Sequence, residues 1–110
     1  VSAGLEAVNE VIKTRYHPSA WNVYTFQCSD GDNWPSDNDK TIDEARKIIN
    51  SCQFFGYCEI EPSAERVAWL NESALYKVYQ PLESNGFKCT EIHTKDDIWT
   101  AFNSFFGGKL

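Results

Sequence analysis

The residues best suited to chemistry lie together in Ser29-Asp30-Gly31-Asp32-Asn33, where two carboxylates stand two positions apart and a glycine between them lets the backbone turn tightly. Such an oxygen-rich loop suits a hard cation. Magnesium takes octahedral oxygen ligands from one or two carboxylates together with hydroxyls and water, groups that Ser29, Asp30 and Asp32 offer. The plainer reading is a solvated turn, because Asp, Gly, Asn, Pro and Ser are ordinary turn formers and dominate positions 30–39. Composition alone favours the turn. Position favours a site, since the loop directly follows an extended aromatic run.

Other arrangements fit less well. Counted from Asp30 as a calcium loop, the fifth position is Trp34 and the sixth Pro35, where an oxygen ligand and a glycine are needed. Asp37-x-Asp39-x-Thr41 resembles the aspartyl-phosphate motif of haloacid-dehalogenase-like phosphatases, but that nucleophile directly follows a buried strand, and here Trp34-Pro35-Ser36 precedes it. It supports an alternative function, a magnesium-dependent phosphoryl-transfer enzyme using Asp30, Asp32 and either Asp37 or Asp39. No Ser-His-Asp or Cys-His set has supporting spacing, and no glycine-rich phosphate loop occurs. His17, before a proline, reads as a surface residue, whereas His93 at a strand end reads as a capping or packing group. Trp34 is either a partner contact or a lid folded on the sheet. Glu59 and Glu61 flank Ile60, so alternation directs at least one of them toward a neighbouring strand end.

The elements that must position these residues follow an αβαβαβα pattern. Leu5, Val8, Ile12 and Tyr16 recur at helical spacing, and Pro18 stops that helix before His17. Residues 22–28 form an aromatic strand. Thr41-Ile42-Asp43-Glu44 has the form of a capping box, predicting a helix from Thr41 with Ile42, Ala45, Ile49 and Cys52 as its apolar stripe. A second strand covers 54–60, a third helix 64–80, ending near Pro81, and a third strand 87–93. Thr94 is expected to cap a last helix that buries Ile98, Trp99, Phe102, Phe105 and Phe106 and ends at Gly107-Gly108. Strands joined through helices lie parallel in one sheet, giving an α/β fold of about three strands with helices on both faces. Ligands bind such sheets outside the carboxyl ends of the strands, which points to 29–33, 61–63 and 93–97.

Composition bounds the remaining classes. A chain of 110 residues, 42% hydrophobic and 15% aromatic, suits one domain. Sixteen acidic against ten basic residues leave a net charge of -6 without a basic cluster, which excludes a phosphate-tracking nucleic-acid surface. The longest apolar run, 67–70, is too short for a membrane helix. There is no methionine and no secretion signal, so the chain reads as part of something longer. Cys28, Cys52, Cys58 and Cys89 form no metal-ligand spacing and are expected to be reduced thiols of a cytoplasmic protein, with Cys28, Cys58 and Cys89 buried as small hydrophobes.

Taken together, Trp21-Asn22-Val23-Tyr24, Ser29-Asp30-Gly31-Asp32-Asn33-Trp34, Ser36-Asp37-Asn38, Phe55-Gly56-Tyr57-Cys58-Glu59-Ile60 and Asp96-Asp97-Ile98 with Phe102 and Phe105-Phe106 resemble the C-terminal portion of the bacterial YeaH/YhbH family over nearly the whole chain. The resemblance implies a truncated Rossmann-like, von Willebrand factor A-type domain, whose metal-ion-dependent adhesion site is built from three loops. On that pattern Asp30 is the acidic ligand of the third loop, with Ser29 and Asp32 beside it, and Trp34 and Asn33 are candidates for partner contact. The first loop, Asp-x-Ser-x-Ser, and the threonine of the second are absent from these residues. No cofactor is therefore expected of this chain alone, magnesium belonging to the full-length parent. The implied function is a non-enzymatic, metal-linked protein-interaction module of a cytoplasmic stress-response or sporulation protein, partnered by a serine-type protein kinase. The strand at 22–28, left with an open edge, or the helix faces left uncovered, are expected to drive self-association, visible as oligomers in sedimentation at high concentration.

Overall fold

The computed structural model describes residues 1–60 and 75–107. Helix α1 (Ser2–Arg15) buries Leu5 and Ile12 and stops before His17, as the proline at 18 requires. Strand β1 (Tyr24–Ser29) starts two residues later than its aromatic composition predicts and runs into the acidic loop. A 3-10 turn (Pro35–Asp37) leads into α2 (Asn38–Ser51), followed by β2 (Phe54–Ile60), α3 (Leu75–Tyr79), a 3-10 turn at Gln80–Leu82 that contains Pro81, β3 (Phe87–Ile92) and α4 (Asp96–Phe106). The predicted start of the third helix, from 64 to 74, and the loop at 61–63 lie outside the described residues, as does Gly108.

The three strands are all parallel, in the order β1-β2-β3. One face carries the main core. Phe55, Tyr57, Phe87 and Cys89 project from β2 and β3 against Leu5 of α1, Ala45 and Ile48 of α2, and Leu75 and Tyr79 of α3. Its aromatic rings meet closely, with centroids 4.9 Å apart for Phe55 and Phe87 and 4.8 Å for Tyr57 and Tyr79. On the opposite face α4 lays Phe105 and Phe106 over Phe26 and Phe54. Gly56 makes room for them, because a β-carbon there would stand 3.0 Å from both Phe105 and Phe26. The expected α/β sheet of three parallel strands with helices on both faces is thus what forms, and among the described residues no helix is long and apolar enough to cross a membrane.

Four local expectations are corrected. Helix α2 begins at Asn38, not Thr41, because Asp37 and Pro35 organise the preceding turn; Thr41 lies inside the first turn, fully buried, and Glu44 turns to Asn9 and Lys47 instead of reaching back as a capping box would. Helix α4 has no threonine cap; Asp97 reaches back to accept the backbone amides of His93 and Thr94 at 2.8 and 3.1 Å. Its apolar stripe is only partly buried, since Ile98, Trp99 and Phe102 stay exposed while Ala101 is covered. Cys28 is exposed, on a strand that is at the edge of the sheet among the described residues.

Candidate functional site

At the carboxyl edge of the sheet the acidic loop is held by its own side chains. The Ser29 hydroxyl accepts the Gly31 amide at 3.0 Å, and Asp30 Oδ1 accepts the Asp32 amide at 3.0 Å, two side-chain turns in succession. Gly31 takes φ +89°, which suits only a residue without a β-carbon, and is buried against Glu59. Its carbonyl accepts the Leu75 amide at 2.9 Å, so the loop is tied to the first turn of α3.

Glu59 is the residue under the loop. It is 5% exposed and stands opposite Ser29 in the β1-β2 register. Its Oε1 accepts the Tyr57 hydroxyl and the Tyr76 amide, each at 2.9 Å. Burial, then the adjoining Glu59 carboxylate, pushes the Tyr57 hydroxyl far above the ordinary tyrosine range, so it stays protonated and a donor. The alternation along β2 signals this position, as Phe55, Tyr57 and Glu59 share a face.

Beyond the loop, Asp37 ties the head of α2 to the start of α1. Its Oδ1 accepts the Ser2 hydroxyl at 2.6 Å, and Oδ2 accepts the Ser2 amide at 3.0 Å and the Thr41 hydroxyl at 3.1 Å, with the Val1 ammonium at 3.4 Å. The Ser2 hydroxyl first, and then the Ser2 amide, hold the Asp37 carboxyl well below the usual carboxylate range. Asn33 donates from Nδ2 to Asn38 Oδ1 at 2.9 Å and to Thr41 Oγ1 at 3.3 Å, binding the loop to the start of α2. Asn33 is therefore a half-buried brace, whereas Trp34 beside it is 80% exposed and forms no lid. A cleft of about 440 Å³ opens there, lined by Val1, Asp32, Asn33 and Trp34.

Because folding lowers the Asp37 pKa, the unfolded chain takes up a proton first as pH falls. The stabilisation is complete above the ordinary value of 3.8 and is lost progressively below it. Asp37→Asn is accordingly expected to lower the melting temperature at neutral pH and to leave the difference shrinking as pH drops through and below 3.8. Thermal melts across an acid series check this; a difference that is constant with pH would contradict it.

Asp30, Asp32 and Asp39 are exposed, whereas the half-buried Asp37 is engaged by Ser2 and Thr41. Among the described residues no three His, Cys, Asp or Glu side chains gather to hold a metal ion. Ser29, Asp30 and Asp32 by themselves fit a partial set, and a cation here needs ligands from elsewhere. His93 Nε2 meets Glu91 Oε2 at 3.1 Å on the exposed end of β3. His17 is a surface residue whose Nδ1 pairs with Ser19 at 2.8 Å.

Residues 1–109 match the family described as "Protein of unknown function (DUF444)". The chain belongs to this family. DUF444 relatives named "UPF0229 protein" include one from Ruminiclostridium cellulolyticum, 38% identical over 92% of the chain, and one from Clostridium perfringens, 31% identical over 100% of it. Another, from Bradyrhizobium diazoefficiens, is 34% identical over 96% of the chain. The chain spans 25 to 27% of the length of these DUF444 proteins, about a quarter. The similarity to YeaH/YhbH-type proteins thus holds at the level of the family. No solved structure matches the chain.

Proposed function

We propose that this DUF444 segment is the C-terminal part of a von Willebrand A-like, Rossmann-type module, in which Asp30 is one acidic ligand of a magnesium-linked site that holds a protein partner. The observation that supports it is a turn tied to α3 by the Leu75 amide on the Gly31 carbonyl and to α2 by Asn33 on Asn38 and Thr41, which leaves Asp30, Asp32 and Trp34 exposed at the carboxyl end of a parallel strand. About three quarters of each relative lies outside the matched region, ample length for the remaining loops of such a site. Magnesium, held by Asp30 with Ser29 and Asp32 alongside, would supply a Lewis-acidic point for a partner's carboxylate. The resemblance makes a serine-type protein kinase the first partner to try, in a cytoplasmic stress-response or sporulation setting. The open edge of β1, flanked by a groove against Leu5 and Val8 of α1, is in this reading the place where the sheet continues or a second copy adds.

The phosphoryl-transfer alternative draws no support from Asp37, whose oxygens are engaged with Ser2 and Thr41 at the head of α2. The experiment for the proposal is a pair of titrations. Calorimetry on these 110 residues is expected to show no micromolar magnesium binding, because one turn supplies too few ligands, while the full-length polypeptide binds magnesium and captures protein only in its presence. Micromolar affinity in the short chain, or magnesium-independent capture by the long one, would contradict the proposal.

A further inference from the structure

Cys28 and Cys58 are direct register partners on adjacent parallel strands. Backbones of neighbouring strands run about 4.8 Å apart, inside the roughly 4.4–6.8 Å Cα separation that a disulfide spans. The two share a face with Phe26 and Gly56, the register pair two positions earlier, on the side where Phe105 of α4 packs. Cys28 is exposed on the edge strand, and Cys58 is 8% exposed immediately inside it. The other two thiols lie elsewhere: Cys89 is in the core on the opposite face, and Cys52 contacts Thr25 Oγ1 at 3.0 Å. Sequence spacing conceals the pair, because 30 positions separate its members and only the sheet register joins them.

We propose that Cys28 and Cys58 form an oxidisable dithiol, a modification site that a small-molecule disulfide such as oxidised glutathione converts to an intrachain disulfide. The exposed Cys28 thiolate attacks one sulfur of glutathione disulfide; a Cys28–glutathione bond forms and glutathione thiolate leaves. Cys58 sulfur then attacks Cys28 Sγ, its proton passing to solvent or to the departing glutathione, and a second glutathione is released. Two electrons and two protons have moved from the protein to the oxidant, yielding one protein disulfide and two reduced glutathiones. The order of attack follows from access, Cys28 being exposed and Cys58 buried, and burial, followed by the neighbouring Cys28, pushes the Cys58 thiol up to about 11, which leaves it the slower of the two to attack the oxidant.

The folded chain is incubated with oxidised glutathione, quenched with an alkylating agent, digested and mapped by mass spectrometry. The expected result is a Cys28–Cys58 cross-linked peptide, with two hydrogens lost per chain and Cys52 and Cys89 still alkylated. In Cys58→Ser the reaction stops at a glutathione adduct on Cys28, and in Cys28→Ser no bridge forms. A wild-type chain that stops at the Cys28 adduct, or that leaves both thiols alkylated after the oxidant has reacted with unfolded chain under the same conditions, overturns the proposal. The wild-type result decides the question even if a serine variant fails to fold.

Discussion

Replacing Phe55 by alanine is expected to cost about 3–5 kcal/mol, the usual range for deleting a fully buried phenylalanine ring. Phe55 is 0% exposed on the central strand and is wedged between Phe87 and Tyr79, with centroids 4.9 and 6.3 Å away. A domain of this size has about 5–15 kcal/mol in total, so the variant should lose a large share of it and melt at least roughly 10 °C lower. Phe102→Ala is the contrast. That ring is 42% exposed on α4, and its removal is expected to change stability by no more than about 1 kcal/mol. Urea unfolding of both variants measures the difference, and comparable losses would show that the core is not centred on the face covered by α1, α2 and α3.

Gly31→Ala is the second large effect, expected at about 2–4 kcal/mol from two sources. The backbone at φ +89° resists any β-carbon, and a methyl there would collide with the Glu59 carboxylate. The carboxylate has no easy retreat, because it is buried and holds the Tyr57 hydroxyl and the Tyr76 amide. Glu59→Ala alone leaves those two donors without that oxygen and is destabilising too. Combined with Gly31→Ala it removes the collision, so the double variant should be less destabilised than the sum of the singles. Strict additivity in urea titrations would contradict the contact between loop and carboxylate.

Much of the fold was readable from local pattern. Period-two aromatic runs and the proline at 18 located the strands and the end of α1, and β2 agrees at both ends with its apolar run. What local pattern could not supply was partnership. Thr41 and Glu44 have the types and spacing of a capping box, yet Asp37 wins the hydroxyl of Thr41 because Ser2, distant in sequence, fixes its carboxylate first. Ile98, Trp99 and Phe102 satisfy a helical stripe, but the sheet offers Phe26 and Phe54 only to Phe105 and Phe106. The same holds at the site. Ser29, Asp30 and Asp32 are conspicuous by composition, whereas the residues that hold their loop come from elsewhere in the chain: Leu75 meets the Gly31 carbonyl, and Glu59 lies against Gly31 from the neighbouring strand. The Cys28 and Cys58 thiols were separately visible and became a pair only through register.

The central claim, that Asp30 carries a magnesium-linked contact for a protein partner, is tested most directly by magnesium-dependent capture with the full-length polypeptide carrying Asp30→Ala. Asp39→Ala serves as the control, an exposed carboxylate on the first turn of α2. The account predicts that Asp30→Ala abolishes capture while the polypeptide still melts cooperatively and that Asp39→Ala leaves capture intact. Undiminished magnesium-dependent capture by Asp30→Ala would contradict it.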